Sequence, residues 1–265
     1  MSATMLELFH WEPNGFYLKP LIALEEKGAT FTSRWFDPTT FEQTVDGFPS
    51  TVESRLTLER EGPLLVADGE VISSTFFMLE YIAESVPGPA LMPEAAYDRY
   101  RARAWGQFLG LSLGATTSAL GCARHLAPEL ARQDAAALRG KIERIEPLER
   151  RSAWLAVVDG TYDEAALTAL RQRLSLPIGR LESALAKGPW LAGSAYSIAD
   201  IDAYALVDPL RDLAPEVVDD ERTPHLKDWL GRIAARPAVR AARARSRSGQ
   251  PEQAFVPGVE SARWG

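Results

Sequence analysis

The order of apolar patterns in the first 90 residues is the feature that most restricts the fold of this chain. Leu6 to Phe9 reads as a short strand, and Trp11-Glu12-Pro13-Asn14-Gly15 has the chemistry of a turn. Leu18, Leu21, Ile22 and Leu24 then carry helical spacing until Gly28 stops it. Thr30 to Phe36, rich in β-branched and aromatic residues, reads as a second strand. After a polar stretch, Pro63 precedes Leu64-Leu65-Val66, which Ala67-Asp68-Gly69-Glu70 joins to Val71-Ile72. Asp-Gly between two apolar runs is a strong hairpin signal. A helix follows from Ser74 through Phe77, Met78, Tyr81 and Ile82.

The sequence β-α-β, then β-β-α with a proline before the third strand, is the thioredoxin-like arrangement. Pro87-Gly88-Pro89 to Pro93 has the density of turn formers expected of a linker. Beyond it the periodicity is helical, over Tyr97 to about Leu126, about Asp134 to Val158, Asp163 to Leu185, Ile198 to Leu213 and Pro224 to Ala235. The expected fold is therefore an α/β thioredoxin-like N-terminal domain, with a four-stranded mixed sheet and flanking helices, plus an all-α C-terminal helical bundle. Residues 1–88 form the first domain, 94–245 the second, and 246–265 a tail whose Ser, Gly, Pro and Gln content predicts a loose segment.

Composition excludes several classes. At 265 residues the cores need no staple. The single cysteine, Cys122, has no partner for an intramolecular bridge, and its neighbours Gly121 and Ala123 point to a small-residue helix contact rather than a nucleophile. No apolar stretch reaches the roughly 20 residues of a membrane-spanning helix, and Met1 to Phe9 carries no basic, signal-type segment, so a cytoplasmic protein is expected. A formal charge of −7 argues against nucleic-acid binding. The arginines between Arg232 and Arg247 read as the solvated face of a last helix or tail rather than an RNA-binding patch, with no aromatics interleaved for stacking.

Ser197-Ile198-Ala199-Asp200 is the strongest local motif. A serine N-cap and an aspartate three residues on form a capping box, a structural device. It is preceded by Trp190-Leu191-Ala192-Gly193 and followed by Ile201-Asp202. With Pro224-His225-Leu226-Lys227-Asp228-Trp229 and Ala235-Arg236-Pro237-Ala238-Val239, it resembles the helical domain of glutathione transferases. Tyr17-Leu18-Lys19-Pro20, Glu26-Lys27-Gly28, Phe36 to Gln43, and Arg150-Arg151 through to Tyr162-Asp163-Glu164 are similar to the bacterial glutathione-dependent β-aryl ether-cleaving enzymes. This resemblance extends to about Arg245.

The resemblance implies a set of site residues. Glutathione would be the co-substrate, with Gly62-Pro63 at the family's cis-proline position beside its cysteinyl part. Ser73 and Ser74 would lie at the helix start that receives its γ-glutamyl end. Plain N-capping by Ser74 is the structural alternative. A thiolate donor is expected near residues 14 to 17, because the thiolate and not the thiol attacks. Asn14 and Tyr17 are the candidates. Phe16, with Tyr100, Trp105 and Phe108 of the helical domain, would meet the substrate's aromatic rings, although aromatics at such spacing are commonly core residues.

Three positions depart from the pattern. Phe16-Tyr17 stands where the related etherases carry Asn-Ser, a bulky pair able to fill the sulfur site or simply to pack the first helix on the sheet. Ser73 stands where the family commonly has an acidic residue. Leu58-Glu59-Arg60-Glu61-Gly62 lacks the usual wording before the proline and brings charge to the groove. Two readings follow. In one, the chain is a supporting subunit, dimerising with a paralogous glutathione-transferase subunit in an etherase acting on small aromatic ethers. In the other, it is an independently active transferase, possible as a homodimer, using Tyr17 or Asn14.

Overall fold

The computed structural model describes residues 5–41, 62–145 and 148–258. Glu42-Gln43, the charges at Arg60 and Glu61, and the last seven residues lie outside the described residues. Strand β1 (Leu6–His10) is followed by helix α1 (Gly15–Lys27), strand β2 (Thr32–Trp35), strands β3 (Leu64–Ala67) and β4 (Glu70–Ile72), and helix α2 (Thr75–Ser85). The strand order is β2-β1-β3-β4. β1 runs parallel to β2 and antiparallel to β3, which pairs antiparallel with β4. The mixed four-stranded sheet is the one expected. Asp68 and Gly69 both have positive φ, 50° and 91°, which a two-residue turn of this hand requires.

Period-two alternation divides β1 between two clusters. Leu6 and Leu8 join the main core with Leu18, Leu21, Ile22, Met78, Leu79 and Ile82, while Phe9 packs with Trp11, Tyr17, Phe36 and Leu64 in a separate aromatic cluster. Helix α1 ends at Gly28, whose φ of 63° lets its N–H close on the carbonyls of Leu24 and Glu25.

The helical unit opens with α3 (Ala96–Leu109). The long helix expected through Leu126 is interrupted by wider π-type turns at Gly110–Gly114 and Cys122–Leu126, which flank α4 (Ala115–Gly121). There follow α5 (Ala127–Leu130), α6 (Ala135–Ile142), α7 (Leu148–Val158), α8 (Glu164–Arg173) and α9 (Ser175–Leu185). Asp134 and Asp163 cap α6 and α8 by accepting from Ala137 N and Ala166 N. The run expected over Ile198 to Leu213 splits into α10 (Ile198–Val207) and α11 (Leu210–Leu213). Pro209 has no N–H to continue the ladder. The last two helices are α12 (Pro224–Ala234) and α13 (Pro237–Arg243).

All ten residues of α10 are buried, as a helix apolar on nearly every side must be. Its capping box is present. Asp200 Oδ2 accepts from Ser197 N at 3.0 Å, and Ser197 Oγ accepts from Ala199 N at 3.3 Å, a donor two residues on rather than three. Asp200 Oδ1 also accepts from Leu191 N and from the Trp229 indole at 3.0 Å. One carboxylate therefore ties the Trp190 loop, α10 and α12 together. Burial, opposed by these hydrogen bonds, raises the Asp200 carboxyl to about 6.

Ion pairs join α1 to the helical unit. Lys19 Nζ donates to Asp202 Oδ1 at 2.7 Å with both side chains 2% exposed. Arg236 Nη2 reaches Glu26 Oε2 at 2.8 Å, and Arg245 Nε reaches Glu25 Oε1 at 2.8 Å. Arg236, Arg243, Arg245 and Arg247 lie over the rings of Tyr196, Tyr204, Phe31 and Trp35. This corrects the reading of Arg236, Arg243 and Arg245 as part of a solvated face: each is half-buried and paired with a carboxylate, that of Glu26, Asp208 and Glu25 respectively. Arg232, Arg240 and Arg247 are exposed, as that reading expects.

A second correction concerns the tail. Through Gly258 it is docked against the rest of the molecule rather than loose: Phe255 is 5% exposed, and Val256 packs against both clusters. Its low-complexity composition misleads because most of its anchors are supplied by residues far away in sequence.

Candidate functional site

The turn between β1 and α1 is built by Glu12, Asn14, Phe16 and Tyr17. Asn14 occupies the N-cap of α1 with extended backbone, yet its side chain does not cap the helix. Its Nδ2 instead donates to the carbonyl of Ala254 at 3.1 Å, and the residue is only 3% exposed. Tyr17, also 3% exposed, packs edge-on against Trp11 and Phe36, with ring centroids 6.1 and 6.2 Å away. Phe16 turns toward the helical unit. Lys19 Nζ lies 4.7 Å from its ring centroid, and a Cβ added to Gly114 would stand 3.3 Å from the ring. The structure thus brings Asn14, Phe16 and Tyr17 to one turn but points them in different directions.

Glu12 was not singled out from sequence, where it is one acid among the turn formers. Its Oε1 accepts from the backbone N–H groups of Arg247 and Ser248, each at 3.0 Å, and from the Trp35 indole at 3.2 Å. Its Oε2 accepts from Ser246 Oγ at 2.5 Å. Burial by itself would raise this carboxyl, but the hydrogen bonds from Ser246, Arg247 and Ser248 outweigh it and hold Glu12 below its ordinary value.

The Gly62-Pro63 peptide bond is cis. Gly62 has a φ of 68°, and a Cβ there would sit 3.0 Å from the Phe36 ring and 3.4 Å from Phe9 O. Only glycine fits without displacing the aromatic cluster. At the start of α2, Ser74 is exposed with a φ of 63°, uncommon for a residue with a side chain, and its hydroxyl makes no capping bond. Ser73 precedes it and is half-buried. The first N–H groups of α2 are therefore not capped by Ser74, an arrangement suited to an anionic group.

Tyr100, Trp105 and Phe108 share a cavity of about 560 Å³ that also includes Leu176, Arg180 and Lys187. Every lining residue belongs to the helical unit, so the structure does not bring these aromatics together with Asn14, Phe16 or Gly62. Tyr100 is 61% exposed, the Trp105 indole donates to Leu191 O at 3.1 Å, and Arg180 stacks over Phe108 at 4.6 Å. A second cavity of about 630 Å³ lies between α4, α7, α8 and α9, with Ser112, Thr116 and Tyr162 in its wall and Gly258 of the tail at its edge. Cys122 is fully buried in the main core, and burial pushes its thiol well above the ordinary value. It has no access to a reacting group.

Residues 137–237 match the family model for the glutathione S-transferase, C-terminal domain. Together with the mixed sheet, the cis-proline turn and the buried capping-box helix, this match gives the chain a glutathione S-transferase-type C-terminal domain. The chain is similar to Protein LigF of Sphingobium sp. strain SYK-6, with 28% identity over 241 residues, 89% of this chain and 91% of LigF. The crystal structure of β-etherase LigF from that strain superposes with a TM-score of 0.81 at 27% identity, covering 91% of this chain and 100% of that one. A glutathione transferase family member from Pseudomonas fluorescens, solved with two glutathione bound, shares the fold at a TM-score of 0.65 and 20% identity, covering 90% of this chain and 92% of its own. No helix among the described residues is long and apolar enough to cross a membrane.

Proposed function

We propose that this chain is a supporting subunit of a glutathione-dependent β-aryl ether cleavage system for lignin-derived aromatics, paired with a catalytically competent paralogue. The observation that carries the reading is the engagement of both thiolate-donor candidates. Asn14 Nδ2 is bonded to Ala254 O, and Tyr17 is buried in an aromatic cluster. The similarity to LigF over nine-tenths of both chains supports the choice of system.

In the reaction of such a system, the glutathione thiolate attacks the carbon that bears the aryl ether beside a ketone. A carbon–sulfur bond forms, and the carbon–oxygen bond breaks with its electron pair leaving on the phenolate. The enzyme's task is to hold thiolate and carbon in line within about 3.5 Å. In this chain, Gly62-Pro63 and the start of α2 at Ser73 and Ser74 retain the backbone frame for glutathione. The closed turn at Asn14 withholds the donor.

A second reading, an independently active transferase using Asn14 or Tyr17, draws support from the uncapped start of α2. Calorimetric titration of the purified chain with millimolar glutathione separates the two. The supporting-subunit reading expects no saturable heat from folded chain, and co-purification with a paralogous transferase from the native cell. One-to-one saturation with turnover of an aryl ether by the chain alone would overturn it.

A further inference from the structure

The tail crosses the molecule in four anchored steps. Glu12 holds the amides of Arg247 and Ser248 and the hydroxyl of Ser246. Asn14 then holds the Ala254 carbonyl. Beyond it, the Phe255 ring lies parallel to His125, with centroids 5.8 Å apart and planes 8° apart, over Gly121, where a Cβ would come within 2.2 Å of the ring. Finally, Arg150 Nη1 donates to Pro257 O, and Gly258 abuts Ala115 and Ser118. The path runs from the β1–α1 turn to α4 and α7, spanning both units of the fold.

Residues 254–258 form neither helix nor strand. The hydrogen bonds that Ala254 O and Pro257 O accept come from side chains, Asn14 and Arg150. Such a segment can leave without dismantling a sheet or helix, as locally opening segments do. What it covers is Asn14, a polar donor of the turn. An amide nitrogen has two hydrogens, so the bond to Ala254 does not by itself exhaust Asn14. The 3% exposure of the residue does, because no thiolate reaches it while the tail is docked.

We propose that the C-terminal segment 246–258 is a removable cap that closes the β1–α1 turn, and that this cap, rather than the bulk of Phe16 and Tyr17, shuts the site. Phe16 packs toward Gly114 and Tyr17 into its own cluster, while the atom bonded to Asn14 belongs to the tail. The inference rests on the proposed glutathione-type site only for what would enter once the cap is open.

The test uses the full chain and a chain ending at Gln253, each carrying Asn14→Cys. Glu12, Phe255 and Arg150 still hold the cap in the full-length variant, and Cys122 is too buried to compete. Alkylation of the introduced thiol by iodoacetamide should be at least tenfold faster in the shortened chain. Equal rates would overturn the cap. If the shortened chain lacks a cooperative melt, Phe255→Ala in the full-length Asn14→Cys chain replaces it, with the same acceleration expected and the same result overturning the cap. A parallel glutathione titration of the unsubstituted chains separates the two ideas. Saturable binding that appears only on shortening supports both the cap and the glutathione site. Faster alkylation with no glutathione binding in either chain upholds the cap and removes the glutathione site.

Discussion

Asn14 donates its side-chain amide to the carbonyl of Ala254 across 240 positions of sequence, at 3.1 Å. One of the two candidate thiolate donors is thereby committed to the chain's own C-terminal segment. The closure depends on Glu12, two residues earlier, which fixes the start of that segment.

Glu12→Ala should free the C-terminal segment. It leaves the amides of Arg247 and Ser248, the Ser246 hydroxyl and the Trp35 indole without their acceptor. A hydrogen bond to a charged group is worth about 1.5–3 kcal/mol, and water entering the opened segment recovers part of the sum, so a loss of about 2 kcal/mol is expected. Urea denaturation measures it. Limited proteolysis should cut the segment after Arg245 or Arg247 faster than in the parent, and unchanged cleavage would count against the clamp.

Lys19→Met should cost about 3–5 kcal/mol, because it strands the Asp202 carboxylate in a site where both partners are 2% exposed. Adding Asp202→Leu should restore most of the loss, since removing both charges also removes the desolvation penalty. A double-mutant cycle in urea tests this, and additive losses would show that the pair is not coupled.

Gly121→Ala separates helix propensity from packing. In an exposed helix the change would stabilise by about 1 kcal/mol. Here the new methyl would lie 2.2 Å from the Phe255 ring, so a loss of about 1–3 kcal/mol is expected instead. In a chain ending at Gln253 the sign should reverse. Thermal melts of the four combinations decide the matter.

Asp200 gives a pH dependence. Its carboxyl is raised from 3.8 to about 6 in the folded chain, so between those values the folded state holds a proton that the unfolded state has lost. Stability from this group is therefore present below about pH 4 and falls as pH rises to about 6, by on the order of 3 kcal/mol at 1.36 kcal/mol per pH unit. Asp200→Asn does not titrate. The stability of the parent relative to this variant should decline across that window and then level off. A flat difference from pH 4 to 6 would refute the raised value.

The local grammar was legible from sequence. The Asp68-Gly69 turn, the stop at Gly28 and the Ser197 to Asp200 box are set by residues next to one another, and the structure contains all three. The long helix through Leu126 was only partly legible. Its π-type turns fall at glycines whose missing side chains leave room for Phe16 and Phe255, partners remote in sequence.

By itself the sequence determined the strand and helix order and the placing of the capping motif, because hydrophobic period, turn chemistry and capping act over a few residues; the cis-proline was placed by the family resemblance. The tertiary structure alone decided that Glu12 is an anchor, that four C-terminal arginines are drawn onto aromatic rings with two of them paired to Glu25 and Glu26, and that a polar tail is a docked segment over Asn14. The contacts of Glu12 with Arg247, Asn14 with Ala254, Arg236 with Glu26 and Arg245 with Glu25 each join groups more than 200 positions apart. Their free energy comes from burial and hydrogen bonding that exist only once the two units have packed.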